Sequence, residues 1–86
     1  MSNYRIDIKS IAAKALADLS AADQRRIAAK IDTLAANPRP EGSRKLAGVE
    51  DLYRIRSGDY RVIYQILDRQ LVVLVIRIAH RREVYR

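Results

Sequence analysis

The sequence predicts an α+β domain of order β-α-α-β-β-β, with a helical hairpin packed on an antiparallel sheet. Three observations predict it. The N-terminal residues alternate with a period of two, two amphipathic stretches with cap signals follow, and three runs rich in Val, Ile, Tyr and Leu close the chain. At 86 residues the chain makes a single domain, residues 1–86. A domain of this size buries only roughly 60% of the surface its unfolded chain exposes. With no cysteine, disulfides cannot add to that stability.

Tyr4 to Lys9 alternates apolar and polar residues and reads as a strand. From Ser10, the spacing of Ile11, Ala15, Leu16 and Leu19 fits one helical face, with Ser10 placed to cap it. Ser20 begins a second helix, and Asp23 three residues later completes a start resembling a capping box. Its stripe is Ile27, Ile31 and Leu34, and it stops before Asn37-Pro38. Pro38, Pro40, Gly42 and Gly48 make residues 37–50 a loop. Strands follow at Leu52 to Arg56, Tyr60 to Leu67 and Leu71 to Ala79. The joints Ser57-Gly58-Asp59 and Asp68-Arg69-Gln70 are of hairpin length, so these three strands form an antiparallel meander. Leu71 to Ile76 is apolar at every position, as in a strand covered on both faces. Helices on one side of the sheet leave the other side open, and function is sought there.

The formal charge of +7 draws polyanions, nucleic acid first among them. Arginine outnumbers lysine 13 to 4. Its planar fork grips phosphate through paired hydrogen bonds, so this usage suits phosphate recognition better than simple solvation. The N-terminus lacks an apolar signal stretch, and the run Leu71 to Ile76 is far short of the roughly 20 residues of a membrane helix. The expected location is the cytoplasm, away from membranes. With no cysteine and only His80 as an imidazole, neither a metal site nor a cofactor is implied. The sequence also lacks paired acids at useful spacing, a glycine-rich phosphate loop and a Ser-His-Asp arrangement. Any phosphodiester cleavage is therefore expected to be metal-free, with the 2′-hydroxyl of RNA as nucleophile.

Alternation along the first C-terminal strand places Arg54 and Arg56 on one side and Tyr53 and Ile55 on the other. Arg61 lies across the hairpin, and the last strand delivers Arg77, followed by His80, Arg81, Arg82, Tyr85 and Arg86. Guanidinium groups, an imidazole and a phenol converging on one surface suit an RNA strand and a pentacovalent phosphate. Each residue also has a plainer reading. Arg54 and Arg56 fit the wet side of a strand, Arg61 a salt bridge to Asp59 or Asp68, and Tyr53, Tyr60 and Tyr64 sheet packing.

Four segments carry a resemblance: Lys45-Leu46-Ala47-Gly48, Leu52 to Arg56, Gly58 to Tyr64, and Ile78 to Arg86. Together they resemble RelE-type toxins of the RelE/ParE toxin-antitoxin superfamily. The resemblance implies a microbial-RNase-like fold and a ribosome-dependent endonuclease that cuts mRNA in the A site. It also implies restraint by an acidic, RelB-like antitoxin in a hetero-oligomer. Carried over by position, it assigns catalysis to Arg54, Arg56, Arg61, Arg81 and Tyr85. Lys45, Arg77, His80 and Arg82 are expected to bind RNA. Some members have lysines at the positions of Arg54 and Arg56, and a guanidinium cannot serve as a base. Tyr85 or His80 is then expected to take the 2′ proton, with Arg61 and Arg81 stabilising transition-state charge. The apolar helical hairpin and the basic face would both suit an acidic, partly disordered antitoxin that folds as it wraps around the toxin. Two competing readings are a gyrase-poisoning toxin of the same superfamily and a nucleic-acid-binding module without toxicity.

Overall fold

A computed structural model describes residues 3–46, 48 and 50–80. Strand β1 (Arg5–Ile8) leads into helices α1 (Ser10–Ala17) and α2 (Ala21–Thr33). Strands β2 (Arg44–Lys45), β3 (Leu52–Ser57), β4 (Tyr60–Leu67) and β5 (Val72–His80) follow, with a 3₁₀ turn at Asp68–Gln70 between the last two. They form one five-stranded sheet in the order β1-β5-β4-β3-β2. The α+β class and the helical hairpin laid on a sheet are as expected. No helix among the described residues is long and apolar enough to cross a membrane.

Two features correct the expected antiparallel sheet. First, β1 runs parallel to β5, with Arg5 opposite Val72 and Ile8 opposite Val75, so the sheet is mixed. Alternation in β1 fixes which side chains face the core but carries no information on strand direction. Second, a two-residue strand, β2, extends the edge, pairing Arg44 with Arg54 and Lys45 with Tyr53. It lies inside the stretch expected to be a loop, and two residues are too few to show any period.

The helices follow their apolar stripes. In α2, Ile27 and Ile31 are buried, and the Ser20 hydroxyl accepts the Asp23 N–H at 3.2 Å, the expected cap. Ser10 departs from expectation: it is the first helical residue, and Lys9 takes the cap position with no side-chain cap bond. The hairpin between β3 and β4 turns on Gly58, whose φ is +61°. The left-handed backbone favours glycine there; the Arg26 guanidinium lies 2.6 Å from where a Cβ would sit, but it ends a flexible side chain that can swing aside.

Register assigns each strand residue to a side, because directly opposite residues share a face. The helix-covered side carries Ile55, Val62, Tyr64, Ile66, Val73, Val75 and Ile78, which form the core with Ala12, Ile27, Ile31 and Leu34. Between Arg77 opposite Ile63 and Val75 opposite Tyr64, the register slips by one and Ile76 has no partner on β4. This bulge reverses the phase of β5. Strict alternation from Val73 and Val75 would turn Arg77 into the core and His80 away from it. After the bulge, Ile78 packs inward and Arg77 points to the open side.

The loop before β2 is tied to the sheet by a polar network. Arg39 donates from Nη2 to Asp68 at 2.7 Å and from Nε to the Tyr53 hydroxyl at 3.2 Å. The Tyr4 hydroxyl also donates to Asp68, and the buried Tyr64 hydroxyl donates to the Pro38 carbonyl at 2.8 Å. Hydrogen bonds from Arg39 and then Tyr4 hold the Asp68 carboxyl below the usual carboxylate range. Such a group adds stability above its unfolded pKa of about 4 and loses it as pH falls through the lower folded value. The Arg39 and Asp68 side chains are 44% and 48% exposed, so screening keeps this contribution small. Asp68→Asn should therefore shrink the drop in urea midpoint between pH 7 and pH 3 relative to wild type. An identical drop in both proteins would exclude Asp68 as a source of acid sensitivity.

Candidate functional site

The open side of the sheet is built by register. Arg56 of β3 lies opposite Arg61 of β4, and Arg61 lies opposite Ala79 of β5. In a neighbouring row of the same face, Arg44 of β2 lies opposite Arg54, Arg54 opposite Ile63, and Ile63 opposite Arg77. Five arginines from four strands thus share one face. Arg54 and Arg77, two strands apart, have backbones about 9–10 Å from each other. Two pairs, Arg44 with Arg54 and Arg56 with Arg61, set like charges directly across from one another, an arrangement that destabilises a sheet. A bound polyanion relieves that repulsion. Arg61 is also only 4% exposed, which marks its guanidinium as a desolvated group, held in place rather than waving in solvent.

Of the residues picked from the sequence, Arg54, Arg56, Arg61 and Arg77 are brought together on this face. Lys45 and His80 are not. Lys45 lies opposite Tyr53, and His80 opposite Tyr60, both on the side the helices cover. The His80 ring meets the Tyr60 ring edge-on, with centroids 5.3 Å apart. The physical reasons are plain: β2 alternation turns Arg44 rather than Lys45 to the arginine face, and the bulge at Ile76 turns His80 away from it. Arg81, Arg82 and Tyr85 lie outside the described residues. The tyrosines Tyr53 and Tyr64 stack with centroids 6.0 Å apart against the core, which is the sheet-packing role. Burial pushes the Tyr64 phenol above its ordinary pKa.

Sequence reasoning missed Arg44. Its one signal is adjacency to Lys45 at the end of a proline- and glycine-rich loop, and only the β2 pairing reveals its alignment with Arg54.

A family model described as the ParE toxin of the type II toxin-antitoxin system parDE matches residues 5–85. The chain belongs to the RelE/ParE family of type II toxins. Within the family, it is 35% identical over 86 residues to a protein named mRNA interferase toxin RelE from Escherichia coli K12, covering 95% of this chain and 90% of that one. Its fold matches the RelE-RelB complex from Pyrococcus horikoshii OT3 with a TM-score of 0.82 and 37% identity, over 92% of this chain and 96% of that one. It matches the intact E. coli RelBE toxin-antitoxin complex with a TM-score of 0.79 and 33% identity, over 90% and 95% of the two chains. The RelE/ParE family scaffold therefore accounts for the helical hairpin and the mixed sheet, and leaves its helix-free face to carry the arginines.

Proposed function

We propose that this toxin is an mRNA endonuclease acting in the ribosomal A site, and that the arginine face is where RNA is cut. The observation that carries the reading is the gathering of Arg44, Arg54, Arg56, Arg61 and Arg77 on one face of the sheet, a concentration of guanidinium groups suited to an anionic ligand. The name mRNA interferase borne by the E. coli relative supports the same reading. In the reaction, the 2′ oxygen bonds to the adjacent phosphorus as the bond from phosphorus to the 5′ oxygen breaks. The products are a 2′,3′-cyclic phosphate and a 5′-hydroxyl, the departing 5′ oxygen taking its proton from water. Arg54, Arg56, Arg61 and Arg81 neutralise charge on the phosphate oxygens, and Arg77 and Arg82 hold the strand on either side. The proton leaving the 2′-hydroxyl needs a base that a guanidinium cannot supply. His80 edges against Tyr60 on the covered side, which weakens its claim to that proton. Tyr85, which stands between Arg81-Arg82 and Arg86 in the chain, is the base in this proposal.

An acidic antitoxin is the cognate partner in this reading, since the structures of similar fold from P. horikoshii and E. coli are complexes with antitoxins. Action on translating ribosomes places the toxin in the cytoplasm. The match to a ParE model is the observation favouring a second reading, in which the protein poisons gyrase without cutting RNA. Primer extension on mRNA after brief induction separates the two. Discrete cuts within codons are expected; intact mRNA accompanied by double-strand DNA breaks would overturn the nuclease reading.

A further inference from the structure

Strand β2 covers the β3 edge only as far as Arg54, and no other strand among the described residues pairs with that edge beyond it. Pairing parity shows which backbone groups the edge presents. The Leu52 carbonyl accepts from Leu46 on the β2 side, whereas the Asp51 carbonyl accepts from Ile66 on the β4 side. Successive residues alternate, so Arg56 turns its N–H and C=O outward, away from β4. Beside this uncovered edge lies a groove of about 330 Å³, lined by Lys30, Glu41, Arg44, Arg54, Ile55 and Arg56. Lys30 comes from α2 on the covered side of the sheet, while Arg44, Arg54 and Arg56 come from the arginine face. The groove therefore passes round the rim of β3 from one side of the sheet to the other. Four cations against one carboxylate leave it positive, and among the described residues Lys30, Arg44 and Arg56 form no salt bridge.

We infer that this groove binds the phosphodiester backbone of RNA beyond the cut, with Lys30 and Arg44 as phosphate contacts. The inference rests on the nuclease reading, because a strand whose scissile phosphate sits over Arg56 and Arg61 must leave that face. The groove begins at Arg54 and Arg56 and gives it a positively charged exit. Flexible lysine and forked arginine together track a backbone without reading bases, so the contact is indifferent to sequence. The phosphates belong either to the messenger or to ribosomal RNA around the A site, and both present the same chemistry.

The test measures binding of the full chain across a KCl series to two probes: a labelled single-stranded RNA, and ribosomes without messenger. For the single strand, each lost phosphate contact should lower the slope of log K against log salt by about 0.7 and weaken binding about five-fold at 0.1 M. Lys30→Ala and Arg44→Ala are each expected to show this loss with at least one probe, and Lys14→Ala, on the exposed side of α1, with neither. Loss confined to the single strand assigns the groove to messenger; loss confined to ribosomes assigns it to ribosomal RNA. Unchanged slopes with both probes overturn the inference, as does weakening seen only against an acidic antitoxin peptide. The nuclease reading fails separately, through absence of cleavage by a wild-type protein whose binding still shows the Lys30 and Arg44 salt dependence.

Discussion

Replacing Arg61 by alanine is expected to slow single-turnover cleavage of mRNA on programmed ribosomes by about 10²–10³-fold, the usual loss when one preorganised donor to a developing oxyanion is removed. Arg61 stands between Arg56 on β3 and Ala79 on β5, and it is the most deeply buried arginine of the open face. A guanidinium withdrawn from water and fixed by a strand acts on phosphate charge with little reorganisation, which is the condition for a large electrostatic contribution. Arg61→Lys should recover only part of the loss, because an ammonium keeps the charge but not the two-pronged donor geometry. Circular dichroism and thermal melts of both variants separate a chemical defect from unfolding. Cleavage at the wild-type rate by folded Arg61→Ala would remove this residue from the reaction and leave its burial a matter of packing.

The second large effect concerns stability. Ile31 is 2% exposed, and it joins α2 to the sheet core beside Ile55, Val62 and Tyr64. Ile31→Ala should destabilise the fold by about 2–5 kcal/mol, the sum of lost transfer energy and the cavity left behind. Total stability for domains is about 5–15 kcal/mol, so this single change removes a large fraction of it. At about 4–8 °C per kcal/mol for a domain of this size, the melting temperature should fall by at least about 8 °C. Ile11→Ala, at a site 70% exposed, should move it far less. Similar shifts for both substitutions would show that the helical hairpin does not form one core with the sheet.

The meander and the hairpin were legible because their information is local. Tyr60 to Leu67 begins and ends where turn residues break an apolar run, and Ser20 with Asp23 marks the start of α2 through a bond spanning three residues. The parallel pairing of β1 with β5 was hidden, because its hydrogen bonds join residues more than 60 positions apart and either direction preserves the same alternation. Of the site, Arg54, Arg56 and Arg61 were readable from alternation across one short hairpin. Arg44 and Lys45 were not separable by type, since only a register defined elsewhere decides which of two adjacent cations faces the arginines. The face that His80 takes was not legible, because the alternation along β5 reverses at an unpaired residue that looks like any other isoleucine.

That unpaired Ile76 splits β5 into two stretches that can be tuned separately. Upstream, Val73 and Val75 answer to the hydrophobic interior; downstream, Arg77 answers to whatever the protein handles. If Ile76 entered the ladder opposite Ile63, simple alternation would turn the charge of Arg77 inward, so the unpaired state of this residue matters as much as its type. Libraries aimed at changing what the toxin grips can vary its downstream stretch, provided that the residue at the kink stays out of the ladder.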